Sequence, residues 1–133
     1  MHGKINHVGI AVKDLDAALK VWHEALGLRL RERKAIPERG LEIAFLESGE
    51  SLIELLAPLA PDSQVSSFLE KRGEGIHHIC LEVDDIAAEL SRLPAAGVRA
   101  ITGKAEVGAE GYPVAFLHPK STNGVLLELI EPE

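Results

Sequence analysis

The chain has 133 residues, 46% of them hydrophobic and 26% charged, which is the composition of one folded domain and not of a disordered segment. Fourteen Lys and Arg against 21 Asp and Glu leave a net charge of −7, a balance that argues against nucleic acid as a partner. The one cysteine, Cys80, excludes an internal disulfide and a Cys-based zinc cluster, and no apolar run approaches the ~18–20 residues of a membrane span.

Met1 to Asn6 has no apolar signal core, so a cytoplasmic location is expected. His2 falls in a terminus expected to fray. Ile5 to Val12 is apolar and β-rich, short enough for a strand. Asp14 can cap a helix on which Leu15, Ala18, Leu19, Trp22 and Leu26 recur at helical spacing. Gly27 suits the left-handed residue that ends it, and His23 falls on its polar side. A strand is predicted from Leu28 to Ile36. Its basic run, Arg29, Arg31, Arg33 and Lys34, is expected to be a solvated face, with a weak anchor for a phosphorylated ligand as the functional alternative. Pro37 to Gly40 is a turn, Leu41 to Glu47 a strand, Ser48 to Glu50 a turn, and Ser51 to Leu56 another strand. The order is β-α-β-β-β.

A connecting helix over 62–72 carries Val65, Phe68 and Leu69 inward. Ile76 to Val83 then reads as a strand, and Asp85 to Ala96 as a helix with Ile86, Leu90 and Leu93 on one face, made irregular near its end by Pro94. Strands follow at Val98 to Ile101, Pro113 to Leu117 and Gly124 to Ile130. Gly103, Gly108 and Gly111 do not match a phosphate-binding loop; their segment is expected to be an ordinary loop, with a flexible lid as the alternative. His118-Pro119 opens a turn after a strand.

This order repeats the first half, and so does the sequence. Asn6-His7-Val8-Gly9-Ile10-Ala11-Val12-Lys13-Asp14 resembles His77-His78-Ile79-Cys80-Leu81-Glu82-Val83-Asp84-Asp85. Ala25-Leu26-Gly27-Leu28 resembles Ala95-Ala96-Gly97-Val98, and Leu52 to Pro58 resembles Leu126 to Pro132. The matches keep their order with offsets of 70 to 74 residues, which identifies two modules, about 1–60 and 75–133. Either module alone is small for an independent core, so two halves sharing a single domain are expected over 1–133.

Strand alternation places His7, Gly9 and Ala11 on one face of the first strand and His78, Cys80 and Glu82 on one face of the fifth. His77 points with the bulky side and Cys80 reads as a small buried residue. Glu54 and Glu128 each stand among Leu and Ile, where a carboxylate is costly to bury unless paired or ligated. Each half therefore supplies one His on its first strand and one Glu on its last. Related by pseudo-twofold symmetry, His7, Glu54, His78 and Glu128 make a mixed N/O set suited to a divalent ion, Co²⁺, Mn²⁺, Ni²⁺, Fe²⁺ or Zn²⁺.

A paired β-α-β-β-β arrangement with one His and one Glu per half resembles the vicinal oxygen chelate superfamily, whose glyoxalase-like fold curls two modules into an open barrel around a metal. Within it, His7 to Val12, Ile53 to Pro58, Gly75 to Asp84, Phe116 to Lys120 and Gly124 to Leu129 look most like the methylmalonyl-CoA epimerases. That resemblance implies an α+β fold and an isomerase that epimerises (2R)- and (2S)-methylmalonyl-CoA by removing the C2 proton. It also implies a divalent metal, Co²⁺ first, an acyl-CoA partner and a homodimer. Glu128 is then one base as well as a ligand. Some family members carry a glutamate where this chain has Ile43, three residues after Gly40. Glu42 is adjacent and becomes the second catalytic base if a bulge turns it; otherwise the second proton comes from Glu54, another group or water. Lys120 and Ser121, just before the Glu128 strand, are expected to approach the acyl group. The rival readings are a glyoxalase I-type lyase, another enzyme of the superfamily such as an extradiol dioxygenase, and a metal-free small-molecule binding protein.

Overall fold

A computed structural model describes residues 3–133; His2 lies outside the described residues. The chain divides into two compact units, one formed by His7–His77 and the other by His78–Glu133 together with residues 3–6. Among the described residues no helix is long and apolar enough to cross a membrane.

In the unit His7–His77 the strands lie in the order β2-β3-β4-β1. Strand β1 (Ile5–Ala11) pairs in parallel with β4 (Ser51–Pro58), and β3 (Leu41–Ser48) lies antiparallel between β4 and β2 (Arg29–Ile36). Asp14 caps helix α1 (Leu15–Leu19) by accepting from the Ala17 amide at 3.0 Å. The helix continues as a π-helical turn over Lys20–Ala25, where the Leu26 amide donates to the Val21 carbonyl at 2.9 Å. His23, expected on the polar side, sets its Nδ1 2.7 Å from the Leu28 carbonyl and so ties the helix end to the next strand. Gly27, with φ +79°, makes the turn between them. The apolar side of α1 meets one face of the sheet through Val12, Leu15, Leu19, Ala44, Leu46, Leu55 and Ala57. Full burial of side chains such as Leu46 and Leu55 contributes about 1.5–3 kcal/mol each. Helix α2 (Gln64–Arg72), capped by Ser63, buries Val65 and sets Phe68 edge-on to the His77 ring at 4.9 Å.

The second unit repeats this plan with strands in the order β5-β8-β7-β6. Strand β5 (Gly75–Glu82) begins in the first unit and pairs in parallel with β8 (Leu127–Ile130); β7 (Pro113–Leu117) lies antiparallel between β8 and β6 (Glu106–Val107). Asp85 caps helix α3 (Ile86–Arg92), which gives way to a 3₁₀ turn over Leu93–Ala96 where Pro94 removes a donor. Arg92 beside Glu89 holds that carboxyl below the usual carboxylate range. Ile86 and Leu93 pack on Val83, Ala115, Leu117 and Leu129. Residues 3–6 complete this unit: the Gly3 amide donates to the Glu82 carbonyl at 3.1 Å, the Glu82 amide to the Lys4 carbonyl at 2.8 Å, and Asn6 Nδ2 to Glu82 Oε2 at 2.9 Å.

Two expectations are corrected here. Val98 to Ile101 is not a strand; only Ala100 bridges to Leu117. The Thr102 hydroxyl donates to the Lys104 carbonyl and Gly103 adopts φ +75°, so the chain turns away before a ladder can grow. The glycine segment is not a plain loop. It carries β6, and the Gly108 amide closes the hairpin on the Tyr112 carbonyl at 2.8 Å.

Gly40 ends the Pro37–Arg39 turn with φ +67°, and a Cβ there would stand 3.1 Å from Ala60 Cβ and 3.2 Å from Ser63 Cβ. Its carbonyl accepts from the amides of both Leu59 and Ala60. Gly40→Ala is expected to lower stability by about 1–3 kcal/mol, read as a shifted urea midpoint with an unchanged slope.

Candidate metal centre

In each unit the strands carry one face packed on a helix and one face that bears a histidine. On β1 the second face holds His7, Gly9 and Ala11, and parallel pairing sets Gly9 opposite Glu54. Antiparallel pairing sets Phe45 opposite Glu54 and Ile43 opposite Leu56 on that same face. His7 Nδ1 lies 3.0 Å from Glu54 Oε2, with both residues only 4% exposed.

The other unit places the corresponding residues at the corresponding register. Parallel pairing sets Cys80 opposite Glu128, and antiparallel pairing sets Phe116 opposite Glu128. His78 Nε2 lies 3.2 Å from Glu128 Oε1, and both residues are buried. The Phe116 ring stands nearly perpendicular to His78, with centroids 5.9 Å apart. Cys80, read as a small buried residue, is fully buried with Val114 and Ile130 in an apolar cluster against Tyr112.

The residue types and spacings fit a divalent ion. Taking a carboxylate out of water costs several kcal/mol unless a cation or a set of donors compensates it. Two N/O ligands held at about 2.1 Å and at right angles around one ion stand about 3 Å apart. Each pair presents its nitrogen and oxygen at that separation, on a buried face with apolar neighbours. His7 and Glu54 could thus hold an ion from one half, and His78 and Glu128 from the other.

Other candidate residues are placed differently. Glu42 stands opposite Ala35 and Ala57, on the helix-packed face with Ala44 and Leu46. The pairing of β3 with β4 runs without a shift from Leu41 to Ser48; the bulge lies in β2, between Leu30 and Glu32. No bulge turns Glu42 toward Glu54, and the structure corrects the reading of Glu42 as a base. Its carboxylate instead accepts from Arg33 Nε at 3.1 Å and Nη2 at 3.0 Å, while Arg33 Nη1 donates to Asp16 at 2.6 Å. Asp16 and then Glu42 raise the guanidinium pKa further above its ordinary value. Arg31 and Arg29 both face Glu47, at 3.2 and 3.9 Å. The arginines of the basic run are therefore matched to carboxylates, which leaves little of the anion anchor raised as an alternative.

His118 caps the 3₁₀ turn Pro119–Ser121, its Nδ1 accepting from the Lys120 amide at 3.1 Å. Ser121 Oγ accepts from the Arg99 amide at 3.0 Å, so this hydroxyl braces the loop, and Lys120 is exposed. The sequence reading did not single out Phe45 and Phe116 as part of the site. They stand 71 residues apart, the same offset that relates His7 to His78, and that offset was the signal available.

The model of the Glyoxalase/Bleomycin resistance protein/Dioxygenase superfamily matches residues 6–116. An ethylmalonyl-CoA/methylmalonyl-CoA epimerase of Cereibacter sphaeroides is 46% identical over 97% of this chain and 98% of its own length. A hypothetical protein of Bacillus halodurans C-125 superposes with a TM-score of 0.96 at 43% identity, covering 100% of this chain and 96% of that one. A variant of Streptomyces coelicolor methylmalonyl-CoA epimerase in complex with 2-nitronate-propionyl-CoA superposes at 0.87 and 34% identity, over 96% of this chain and 93% of that one.

Chelator-treated protein is expected to gain about 2.7 kcal/mol of stability when Co²⁺ or Mn²⁺ is restored at a hundredfold excess over its dissociation constant. Calorimetric unfolding should show this as a raised midpoint, and His78→Ala should abolish the rise.

Proposed function

The chain belongs to the Glyoxalase/Bleomycin resistance protein/Dioxygenase superfamily and, within it, to the methylmalonyl-CoA epimerases, and from that membership we propose that this enzyme interconverts (2R)- and (2S)-methylmalonyl-CoA in a metal-dependent reaction. The fold is the glyoxalase-like one of that superfamily. The observation that carries the metal-dependent part is the repeated buried pair, His7 with Glu54 and His78 with Glu128, at matched register. In this reading the two modules act as one domain and the four side chains serve one ion. Co²⁺ is the first candidate, with Mn²⁺, Ni²⁺ and Zn²⁺ as alternatives that the same donors suit.

The substrate's C2 hydrogen lies between a thioester carbonyl and a carboxylate, so its removal builds negative charge on oxygen. A bound divalent cation supplies Lewis-acid stabilisation of such charge. The rest falls to the chain's own side chains. Glu128 takes the C2 proton on one face, its carboxylate oriented by His78 at 3.2 Å. Phe116, opposite Glu128, and the Cys80, Val114 and Ile130 cluster keep water from that carboxylate. Lys120, exposed on a loop braced by His118 and Ser121, meets the substrate carboxylate as a point charge. Ser121 enters as the brace of that contact, since its oxygen already accepts from Arg99.

A second reading, a glyoxalase I-type lyase, is favoured by the donor set alone, since two His and two Glu serve hemithioacetal isomerisation equally well. Assay of both substrates separates the two. A cytoplasmic homodimer completes the proposal. The single cysteine suits a reducing compartment, and the exposed Val21 and Leu26 offer apolar surface on the first helix.

Metal-loaded protein in deuterated water is expected to exchange the C2 hydrogen of methylmalonyl-CoA with inversion, followed by NMR. Stripped protein and His7→Ala should show neither. Glu128→Gln should lose about a hundredfold or more in rate while retaining some metal.

A further inference from the structure

We propose that Arg99 takes the free carboxylate of the malonyl group, and so sets a preference for carboxylated acyl thioesters. The assignment rests on the epimerase reading above and adds a binding residue to it. Every residue it uses lies in the unit completed by His78–Glu133.

Arg99 differs from the other arginines in what it meets. Arg29 and Arg31 face Glu47, Arg33 binds Asp16 and Glu42, and Arg92 binds Glu89. Arg72 lies over the Phe68 ring, 5.7 Å from its centroid. Arg99 is exposed, and among the described residues no carboxylate pairs with it, although the chain has 21 Asp and Glu. Its backbone, by contrast, is fixed on both sides. The amide donates to Ser121 Oγ at 3.0 Å, and the carbonyl accepts from the His118 amide at 2.7 Å. An unpaired guanidinium is thus rooted against the loop that carries Lys120.

The register sets the direction of the side chain. Ala100 bridges Leu117, and the Ile101 amide donates to the Phe116 carbonyl at 2.8 Å, so the chain is extended here. Val98 and Ala100 both pack on the helix-covered cluster of Leu93, Ala115 and Leu117. Arg99, between them, projects to the opposite face. That is the face of Phe116 and Glu128, because Ala115, Leu117 and Leu129 occupy the helix-covered one. Arg99 lies two strand spacings of about 4.8 Å and two residues of about 3.3 Å from Glu128, which sets their Cα atoms about 12 Å apart. Two long side chains reaching toward each other across such a span leave room for a group of a few atoms.

The substrate carries two kinds of anion. Its carboxylate is bonded to C2, the atom on which Glu128 acts, whereas its phosphates lie beyond the pantetheine arm. A cation at this separation from Glu128 suits the carboxylate. The guanidinium fork matches both carboxylate oxygens, a fit that the Lys120 ammonium does not offer. Lys120 adds charge from the adjoining loop.

The test compares malonyl-CoA with acetyl-CoA as competitive ligands of the metal-loaded protein, since the two share every phosphate and differ by one carboxylate. Arg99→Met is expected to weaken malonyl-CoA about ten- to a hundredfold and to leave acetyl-CoA unchanged. The KM of methylmalonyl-CoA should rise by a similar factor with kcat nearly constant, and Arg99→Lys should recover part of the loss. Because the side chain is exposed, both variants should keep the wild-type urea midpoint. Equal weakening of both ligands overturns the assignment, because the guanidinium then holds a phosphate. Unchanged malonyl-CoA affinity in Arg99→Met, or a wild-type protein that binds both ligands alike, overturns it too. So does a loss of affinity that tracks a lowered urea midpoint. A wild-type protein that prefers malonyl-CoA through Arg99 but does not invert C2 overturns the epimerase reading and leaves the carboxylate contact standing.

Discussion

Burial of a carboxylate on an apolar strand is the constraint around which the structure is organised. Glu54 and Glu128 stand where Leu or Ile would be stable without help, and each is met by an imidazole from the neighbouring parallel strand. Such a pair forms only if the first and last strands of a module lie side by side in one register. The helix after the first strand covers the opposite face, and the two intervening strands complete the sheet. In this way the chemistry of one ionisable residue per half fixes which strands must be neighbours.

The repeat places the same buried pair, one His and one Glu, at the same register in each unit. The halves have diverged elsewhere. Cys80 stands where the first half has Gly9, and the short β6 stands where the first half has the full strand β2. The sheet core around each Glu has stayed the same, down to the phenylalanine opposite it.

Much of this was legible in the sequence, for physical reasons that can be named. Asp14 is a capping residue followed by the apolar spacing of a helix and caps as read, whereas Asp85, read as the first residue of a helix, is the cap of one. Pro94 foretold the irregular end of α3. The alternation of β1 and β5 placed His7 and His78 on the faces they occupy. Long-range partners were less readable. Whether Glu42 turned inward depended on where a bulge fell, and only the pairing of β2, β3 and β4 shows it in β2. Val98 to Ile101 has the composition of a strand, but strand formation needs a partner along its whole length, and the turn at Thr102–Lys104 ends the contact after one bridge. Phe45 and Phe116 looked like ordinary core residues until their register against the two glutamates was known.

Residues 3–6 belong to the unit completed by His78–Glu133, and Asn6 reaches Glu82 across 76 positions of chain. This has a consequence for biosynthesis. On the ribosome these residues are made before the entire first module, yet their hydrogen-bonding partner is made after it. Until Glu82 leaves the exit tunnel, the bonds it makes with Gly3, Lys4 and Asn6 cannot form. The separation raises the contact order of the fold and with it the time spent partly assembled. Residues 3–6 therefore act as a latch that closes late, and the second module lacks the bonds to Glu82 if it is expressed without them.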